Sequence, residues 1–316
     1  MSPEEWIAVV GNEYLASYVR QGGAAVKCAA ATTDAGRTEL RRGLATAAEA
    51  NGFLLAQLDA SEVRIHLIDR LFHAVATQVD WDSLGRGYLE GMLRARGLRL
   101  PQAPEPLTVR RVAELNAAPE ALLRTELRSA LERELFEDYA MSREFRLAML
   151  ALCLAHLDPT ENPALASSVK AWLRGELRLV SEVKRALIFQ RVNRHNARHM
   201  LFSLAHWLTL AGKSGLLLVL DVARYAEAVR PAERGAGNYY STSASMDLYE
   251  VLRELIDATD EAHACCVCVL VGPDFLQDDR RGVRSYQALY FRIWDEVYDR
   301  NRENPFSSLA RIAAAA

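Results

Sequence analysis

The chain has 316 residues, half of them hydrophobic, and its 38 basic and 41 acidic side chains give a net charge of -3. This composition excludes a disordered protein and a globally basic nucleic-acid binder, although it leaves room for a local basic patch. Five cysteines are too few for a disulfide framework at this length, and with no signal sequence and no run of about 18 apolar residues we expect a cytoplasmic protein without a membrane segment.

Strand and helix patterns alternate twice within the first eighty residues. The predicted elements are a helix over 5–20, a strand over Ala24–Ala31, a helix over Glu39–Asn51, a strand over Phe53–Leu58 that ends at Asp59, and a helix with its apolar face between Ile65 and Val79. Such alternation is typical of a parallel sheet with helices on its faces. We therefore predict an α/β fold with a mainly parallel sheet.

The middle of the chain is predicted to be helical. From Asp80 to about Pro163 the helical patterns are broken by proline-rich stretches, which indicates an insertion between sheet strands. Residues 165–211 are also predicted to be helical, including one long helix over Leu187–Leu210. The predicted division is therefore a first part of the α/β core over 1–80, a helical insertion over 81–165, and a second part of the core over 166–316.

The strand after this helical region organises the rest of the chain. Residues 212–222 read GKSGLLLVLDV, and the continuous apolar run from Leu216 to Leu220 is typical of a strand buried on both faces. Asp221 follows where that strand ends. Ligands of open α/β sheets bind outside the carboxyl ends of the strands, so Asp221 is placed to hold Mg²⁺. The alternative is that Asp221 only ends the strand or caps a turn. Further strands are predicted over Ala264–Val271 and, at an edge, Ser308–Ile312.

The turn after the first strand resembles a phosphate-binding loop. Such a loop reads G-x-x-x-x-G-K-[ST] between a strand and a helix, and its backbone amides and lysine hold phosphates. Here Ala31 takes the first glycine position and is followed by Gly36, Arg37 and Thr38. Both Ala31 and Arg37 depart from the pattern, so an ordinary connection between strand and helix stays open.

A second candidate loop, Gly212-Lys213-Ser214, follows a helix and precedes a strand. It therefore lacks the helix N-terminus that would direct amides at an anion, and a helix stop explains it better. The central strand also departs from an active ATPase. Asp221 is followed by Val222, which cannot accept a proton, where a glutamate would polarise the attacking water.

Two further groups of residues have functional and structural interpretations. Arg191, Arg194 and Arg198, with two histidines, fall at helical spacing and predict a basic stripe that contacts nucleic acid or an acidic partner; a solvated helix face is the alternative. The cysteines at 265, 266 and 268 follow His263, but on a strand Cys265 points away from the other two, so buried thiols are favoured over a zinc site.

Several segments resemble the P-loop ATP-binding proteins of bacteriophage-exclusion (BREX) islands, of the BrxC and BrxD type. These are WLRGE (172–176), RHNAR (194–198), AGKSGLLLVLD (211–221), YEVLRELIDATD (249–260), GPDFL (272–276), RGV (281–283) and Asn304-Pro305. Those proteins are similar to AAA+ ATPases of the origin-recognition type. The resemblance implies an AAA+-like P-loop core that works in multi-protein assemblies on DNA, with ATP and Mg²⁺ as ligands.

Carried over to this sequence, the resemblance puts Gly36, Arg37 and Thr38 on the phosphate loop and Asp221 on the Mg²⁺-binding strand. It puts Asp274 near the end of the sensor strand. Arg280 or Arg281 follows, where an arginine reaches the nucleotide of a neighbouring subunit.

The expected function is a degenerate ATP-binding subunit of a phage-defence assembly, with a structural or regulatory role and with other defence subunits as partners. Oligomerisation and DNA contact are compatible with this expectation. Two alternatives stay open. One is an active ATPase in which Arg37 replaces the lysine and a carboxylate such as Glu250 or Asp247 acts on water. The other is a DNA-binding adaptor that uses the basic stripe without nucleotide.

Overall fold

The computed structural model describes residues 1–102, 104–161, 163–227, 238–294 and 303–313. The chain divides into two compact units. The first comprises Met1–Val75 together with Ser214–Ala316, and the second comprises Ala76–Lys213. The first unit is thus built from two separate stretches of chain. The predicted three-part division with boundaries at residues 80 and 165 stays a prediction.

The first unit contains a sheet of five strands that are all parallel, in the order β2-β3-β4-β1-β5. The strands are β1 (Ala24–Ala31), β2 (Leu54–Asp59), β3 (Leu216–Asp221), β4 (Cys265–Val271) and β5 (Leu309–Ile312). Every residue of β3 and β4 is buried, as their continuous apolar runs predict. The predicted α/β fold is confirmed, and β5 lies at an edge as expected.

Helices flank the strands in the first unit and make up most of the second. In chain order they are α1 (Pro3–Val9), which continues as a π-helix (Val10–Tyr18), α2 (Asp34–Ala50), α3 (Ile68–Thr77), α4 (Trp81–Ala95), α5 (Val109–Leu115), α6 (Glu120–Glu137), α7 (Arg143–Leu157), α8 (Pro163–Leu173), α9 (Ala197–Leu210), α10 (Thr242–Asp257), α11 (Asp274–Gln277) and α12 (Gln287–Ile293). Short 3₁₀ segments include Val180–Ala186.

Helix α2 buries one side against the sheet. Leu40, Leu44 and Ala48 recur at a spacing of four and are at most 1% exposed, which is the spacing that aligns side chains along one helix face. They join a cluster with side chains of α1, of the π-helix and the residue after it, of the residue before β2, and of alternate positions of the other strands: Trp6, Val10, Leu15, Val19, Ala29, Ala31, Phe53, Leu217, Val219, Cys266, Cys268, Leu270, Ala310 and Ile312. This core fixes α2 over the sheet.

The sheet order creates a crevice beside β1. The chain leaves β1 through α2 and crosses to β2 at the far edge, whereas it leaves β4 in the opposite direction and reaches β5. Crossovers between parallel strands are right-handed, so connections that run in opposite directions lie on opposite faces of the sheet. Adjacent strands with connections on opposite faces leave a space at their carboxyl ends, which is where open α/β sheets bind ligands.

Gly215 is required where the chain enters β3. Its φ is +141°, and a Cβ there would lie 2.2 Å from the carbonyl oxygen of Ala264. That oxygen accepts a hydrogen bond from the amide of Leu216 at 2.9 Å. The close approach is part of the pairing of β3 with β4, so no residue with a side chain fits without movement of the backbone.

The predicted long helix over Leu187–Leu210 is wrong. Helix α9 begins at Ala197, and turns precede it. The amide of Asn193 donates to the side-chain oxygen of Asn196 at 2.8 Å, and the amide of His195 donates to the side-chain oxygen of Asn193 at 2.9 Å. Asparagine side chains compete in this way with helical hydrogen bonds, so the segment forms turns in spite of its apolar spacing.

Other boundaries differ less. Helix α2 begins at Asp34, five residues before its predicted start at Glu39. The sequence also predicts a loop over 230–243 and a last helical stripe from Tyr286 to Val297. Residues 230–237 of that loop, and the part of the stripe beyond Trp294, lie outside the described residues. None of the helices in the described part of the chain combines the length and the hydropathy that crossing a lipid bilayer requires.

Candidate functional site

The residues predicted to bind nucleotide meet at the carboxyl edge of the sheet. Helix α2 starts directly after β1, and β4 lies between β1 and β3. Asp59 and Asp221 end β2 and β3 and are register partners in this parallel pair. Two carboxylates are therefore side by side at the end of the sheet over which α2 packs.

The connection from β1 to α2 consists of Thr32 and Thr33 only. Thr33 caps the helix, because its Oγ1 accepts a hydrogen bond from the amide of Gly36 at 3.1 Å. The amide of Arg37 bonds the carbonyl of Thr33 at 3.2 Å, and Oγ1 of Thr38 donates to the carbonyl of Asp34 at 3.0 Å. Gly36, Arg37 and Thr38 are thus residues of α2, and the amides of Gly36 and Arg37 and the hydroxyl of Thr38 are bonded within its first turn.

Arg37 reaches across the sheet edge to Asp221. Its Nε lies 3.2 Å from Oδ2 of Asp221, and the two side chains are only 13% and 12% exposed. Its Nη2 also bonds Oδ1 of Asp34 at 2.8 Å, but Asp34 is 94% exposed. The pair with Asp221 is the one shielded from water, so it carries the stronger electrostatic interaction.

The environment of Asp221 pulls its pKa in two directions. Burial raises the pKa of this carboxyl above its ordinary value, and the charge and hydrogen bond of Arg37 oppose that rise. The amide of Ala223 also donates to Oδ1 of Asp221 at 3.3 Å. Val222, where an active ATPase would hold its base, is 2% exposed.

A second arginine pairs with Asp59 one turn further along α2. Nη1 of Arg41 lies 2.9 Å from Oδ2 of Asp59, and both side chains are about one-third exposed, at 32% and 30%. Burial alone would raise the pKa of Asp59, but hydrogen bonds from Ser61 and the charge of Arg41 hold it below its ordinary value. The sequence analysis missed this pair. Two signals were visible: an arginine four residues after Arg37, and an aspartate at the end of both β2 and β3.

These residues do not fit magnesium and ATP as they are arranged. A phosphate loop needs several free backbone amides after the strand, and here the connection is too short and the amide of Gly36 is already bonded. Oδ2 of Asp221 accepts from Arg37 instead of standing free for a metal. Within the described ranges, no group of three or more His, Cys, Asp or Glu side chains is placed to hold a metal ion.

The two arginines predicted to act on a neighbouring nucleotide differ in their surroundings. The side chain of Arg280 is exposed. Arg281 is only 9% exposed, and its guanidinium donates to the carbonyls of Glu227 and Tyr240, both at 2.9 Å, and to the hydroxyl of Tyr239 at 2.8 Å. Arg281 therefore ties the two ends of the 227–240 stretch together within its own chain.

The predicted basic stripe is not formed by one helix. Arg191 and Arg194 precede α9, and only Arg198 lies on it. Nη2 of Arg191 donates to the carbonyl of Arg178 at 2.5 Å, and Nε of Arg194 lies 3.2 Å from Nε2 of His195. The single-helix stripe is therefore wrong, and contact of these arginines with nucleic acid stays a prediction.

The remaining candidates have ordinary structural positions. All five cysteines are free and buried, and burial raises the pKa of the Cys265 thiol to about 12. Gly212, at φ +85°, follows the end of α9 as a helix stop. Glu250 is held by Arg253 and Tyr286, and the hydrogen bond from Arg253 lowers its pKa to about 2, which makes it a poor base at neutral pH. Asp247 is exposed on the same helix.

Comparison with known proteins identifies the family of this chain. A search of the curated proteins and a search of the solved structures each returned no significant match. A family model described as "BREX system ATP-binding protein BrxC/D" matches residues 12–313, which is nearly the whole chain. The resemblance found in the sequence is thus confirmed, and the chain belongs to the BrxC/BrxD family of BREX system ATP-binding proteins.

Proposed function

We propose that this component of a BREX phage-defence system is a structural or regulatory subunit whose nucleotide site no longer turns over ATP. The observation that carries the proposal is the shielded ion pair between Nε of Arg37 and Oδ2 of Asp221 at 3.2 Å. In this arrangement the guanidinium engages the carboxylate oxygen that a metal ion would need.

Arginine is well suited to this substitution. A guanidinium does not lose its proton in proteins, so Arg37 keeps its positive charge at any physiological pH. Mg²⁺ would have to displace that charge before it could reach Asp221. A nucleotide phosphate would in turn have to compete with Asp221 for Arg37. Mg²⁺ and the nucleotide phosphates therefore each meet a side chain whose charge is already balanced by the other member of the Arg37–Asp221 pair.

The absence of a base at residue 222 is a second argument against ATP turnover. Val222 is buried and has no group that accepts a proton. Loss of a positioned base lowers an enzymatic rate by about 100- to 10,000-fold. Glu250, the carboxylate considered as a replacement, has its pKa lowered to about 2. These features favour binding or assembly over catalysis.

The proposal is tested by measuring phosphate release from ATP and Mg²⁺ with the purified full chain. We expect no release above the background of the Asp221→Asn variant, and Arg41→Ala serves as a control that breaks the neighbouring pair and leaves Asp221 with Arg37. Release that depends on Mg²⁺ and disappears in Asp221→Asn but not in Arg41→Ala would overturn the proposal in favour of an active ATPase.

A further inference from the structure

The stretch from Arg174 to Arg198 in the second unit has a high density of positive charge. It contains seven basic and two acidic residues, although the whole protein is slightly negative. After Val183 no acidic residue occurs in the sequence before Asp221. The charge of this stretch is therefore not balanced by neighbours along the chain, and a local excess of this kind is typical of contact with an anionic partner.

Other arginines of the second unit are balanced by acids. Six arginines of α4, α5 and α6 form ion pairs with glutamates: Arg86, Arg94, Arg110, Arg111, Arg124 and Arg128. Arg178, Arg191 and Arg194 are exposed, and none of them forms an ion pair with any residue that the structure describes. Their charge is therefore available to a partner.

Hydrogen bonds hold these three arginines in one set of turns. Nη2 of Arg191 donates to the backbone carbonyl of Arg178 at 2.5 Å. The backbone carbonyl of Arg191 accepts in turn from the side-chain amides of Asn193, at 3.1 Å, and Asn196, at 3.3 Å. Arg194 lies between those two asparagines. The backbone that carries the arginines is thus arranged before a partner binds, which lowers the entropy cost of binding.

The three guanidinium groups keep most of their donors. In the described ranges the side chain of Arg178 forms no hydrogen bond, Arg191 uses only Nη2, and Arg194 uses only Nε, toward His195. A guanidinium has five N–H donors in a planar fork that matches the oxygens of phosphate and of carboxylate. A partner with several anionic oxygens fits this arrangement.

Phe189 distinguishes between phosphate and carboxylate partners. It lies two residues before Arg191, and it is 61% exposed, so its ring adds little to the core of the unit. Within the part of the chain that the structure describes, the ring contacts no other aromatic ring and no cation. The bases of a single-stranded nucleic acid stack on exposed rings beside basic side chains, whereas a carboxylate has no flat face to place there.

We propose that this part of the second unit binds single-stranded nucleic acid. The residues of this basic surface are Arg178, Phe189, Arg191 and Arg194. Their guanidinium groups contact phosphates, and the phenyl ring stacks on one base. Such contacts do not depend on sequence, because every base has a flat face and every nucleotide has a phosphate. This binding is a further function of the chain and does not require nucleotide at the sheet edge.

The test is a titration of the purified full chain against labelled oligomers of about 16 nucleotides, the upper end of the usual site size. One oligomer is oligo(dT) and the other is oligo(U), and fluorescence anisotropy is measured at several salt concentrations. We expect the affinity to fall with salt with a logarithmic slope of about -2, because each phosphate contact on a single strand contributes about -0.7. Binding of either oligomer supports the proposal, and the tighter one identifies DNA or RNA as the ligand.

Matched variants separate the charge from the ring. Arg178→Gln and Arg194→Gln should each make the salt slope shallower by about 0.7, with the unfolding midpoint unchanged. Phe189→Ala should weaken binding at least about fivefold, the effect of losing one stacked base, and leave the slope unchanged. The controls are Arg133→Gln, an exposed arginine on α6, and Phe291→Ala, a ring that is 71% exposed on α12. Both controls should bind as the unmodified chain does.

Four outcomes would overturn the inference. They are that neither oligomer binds, that a duplex of the same length binds as tightly and Phe189→Ala has no effect, that polyglutamate displaces the oligomer at an equal concentration of charges, or that Arg133→Gln changes the slope as much as Arg194→Gln does. The third outcome would assign the surface to an acidic protein. No ATP is present in these titrations, so their failure is distinct from failure of the proposed function.

Discussion

The carboxyl edge of the sheet and an open cavity in the second unit, lined by residues of α6, α7 and α8 and by Arg185 and Leu187, differ in how one arginine is held. At the sheet edge Arg37 and Arg41 are paired with Asp221 and Asp59 from neighbouring strands. At the cavity Arg185 is exposed beside a strained Leu187. A protein gains stability by satisfying polar groups internally and retains interaction sites by leaving them open. The comparison distinguishes a sheet edge whose arginines are paired within the chain from a cavity at which Arg185 is exposed and forms no ion pair with any described residue.

The largest effect is expected from breaking the pair at the sheet edge. Arg37→Ala leaves a shielded carboxylate without its partner, and loss of one member of a buried ion pair costs about 3–5 kcal/mol in the free energy of unfolding. Asp221 is 12% exposed, so we expect about 3 kcal/mol at pH 7, measured by urea unfolding. The double variant Arg37→Met with Asp221→Leu should recover most of this loss. A cost below about 1 kcal/mol would show that the pair is solvated.

The cavity should respond in the opposite direction. Leu187→Asn places a residue that tolerates the left-handed conformation at φ +58°. We expect the free energy of unfolding to rise by about 0.5–1 kcal/mol, because strain is relieved and little buried apolar area is lost. Thermal and urea unfolding both measure it. A fall in the free energy of unfolding as large as that of a core substitution would mean that Leu187 is packed in the core. The contrast between the sheet edge and the cavity would then be wrong.

The two aspartates at the sheet edge should respond to pH with opposite signs. The folded pKa of Asp59 is lowered, so its contribution to stability is present above the unfolded pKa of about 4 and is lost as pH falls through the folded value. The folded pKa of Asp221 is raised, so stability falls as pH rises from the unfolded value to the folded one.

Unfolding measured between about pH 3 and pH 6 tests this contrast. Asp59→Asn should reduce the loss of unfolding free energy as pH falls below about 4. Asp221→Asn should remove the loss of unfolding free energy as pH rises above about 4. Parallel changes in the two profiles would contradict the difference in their environments.

The smallest effect is expected at the cavity rim. Arg185→Glu reverses an exposed charge with no ion pair within the described ranges, and such surface substitutions usually change stability by less than about 0.5 kcal/mol. Differential scanning calorimetry compares it with Arg133→Glu. A large loss of stability in Arg185→Glu alone would mean that Arg185 is part of the fold.

Much of the fold could be predicted because local patterns agree with it. The apolar run from Leu216 to Leu220 predicted a buried strand, and Gly215 fits the close approach to Ala264 at its start. The early start of α2 could have been found from Thr33, whose side chain caps the helix. The break before Ala197 was hidden, because the asparagine turns at 193 and 196 lie within an apolar pattern that favours a helix.

The candidate site was predictable only in part. The sequence indicated Asp221 at the end of a strand and Arg37 at the start of a helix. It contained no sign that they form an ion pair, because they are 184 positions apart and only the packing of α2 over the sheet brings them together. The cavity is formed by three helices and a residue in the left-handed conformation, so its geometry could not be predicted from the local sequence pattern either.

Calorimetric titration of the full chain with ATP, with and without Mg²⁺, tests the central claim most directly. If Arg37 holds the position of the metal, the affinity for ATP will be the same within about threefold in both titrations, or binding will be absent from both, because Asp221 is not free to ligate the ion. If Mg²⁺ raises the affinity tenfold or more and Asp221→Asn abolishes that gain, the site is a working metal and nucleotide site and the account is wrong.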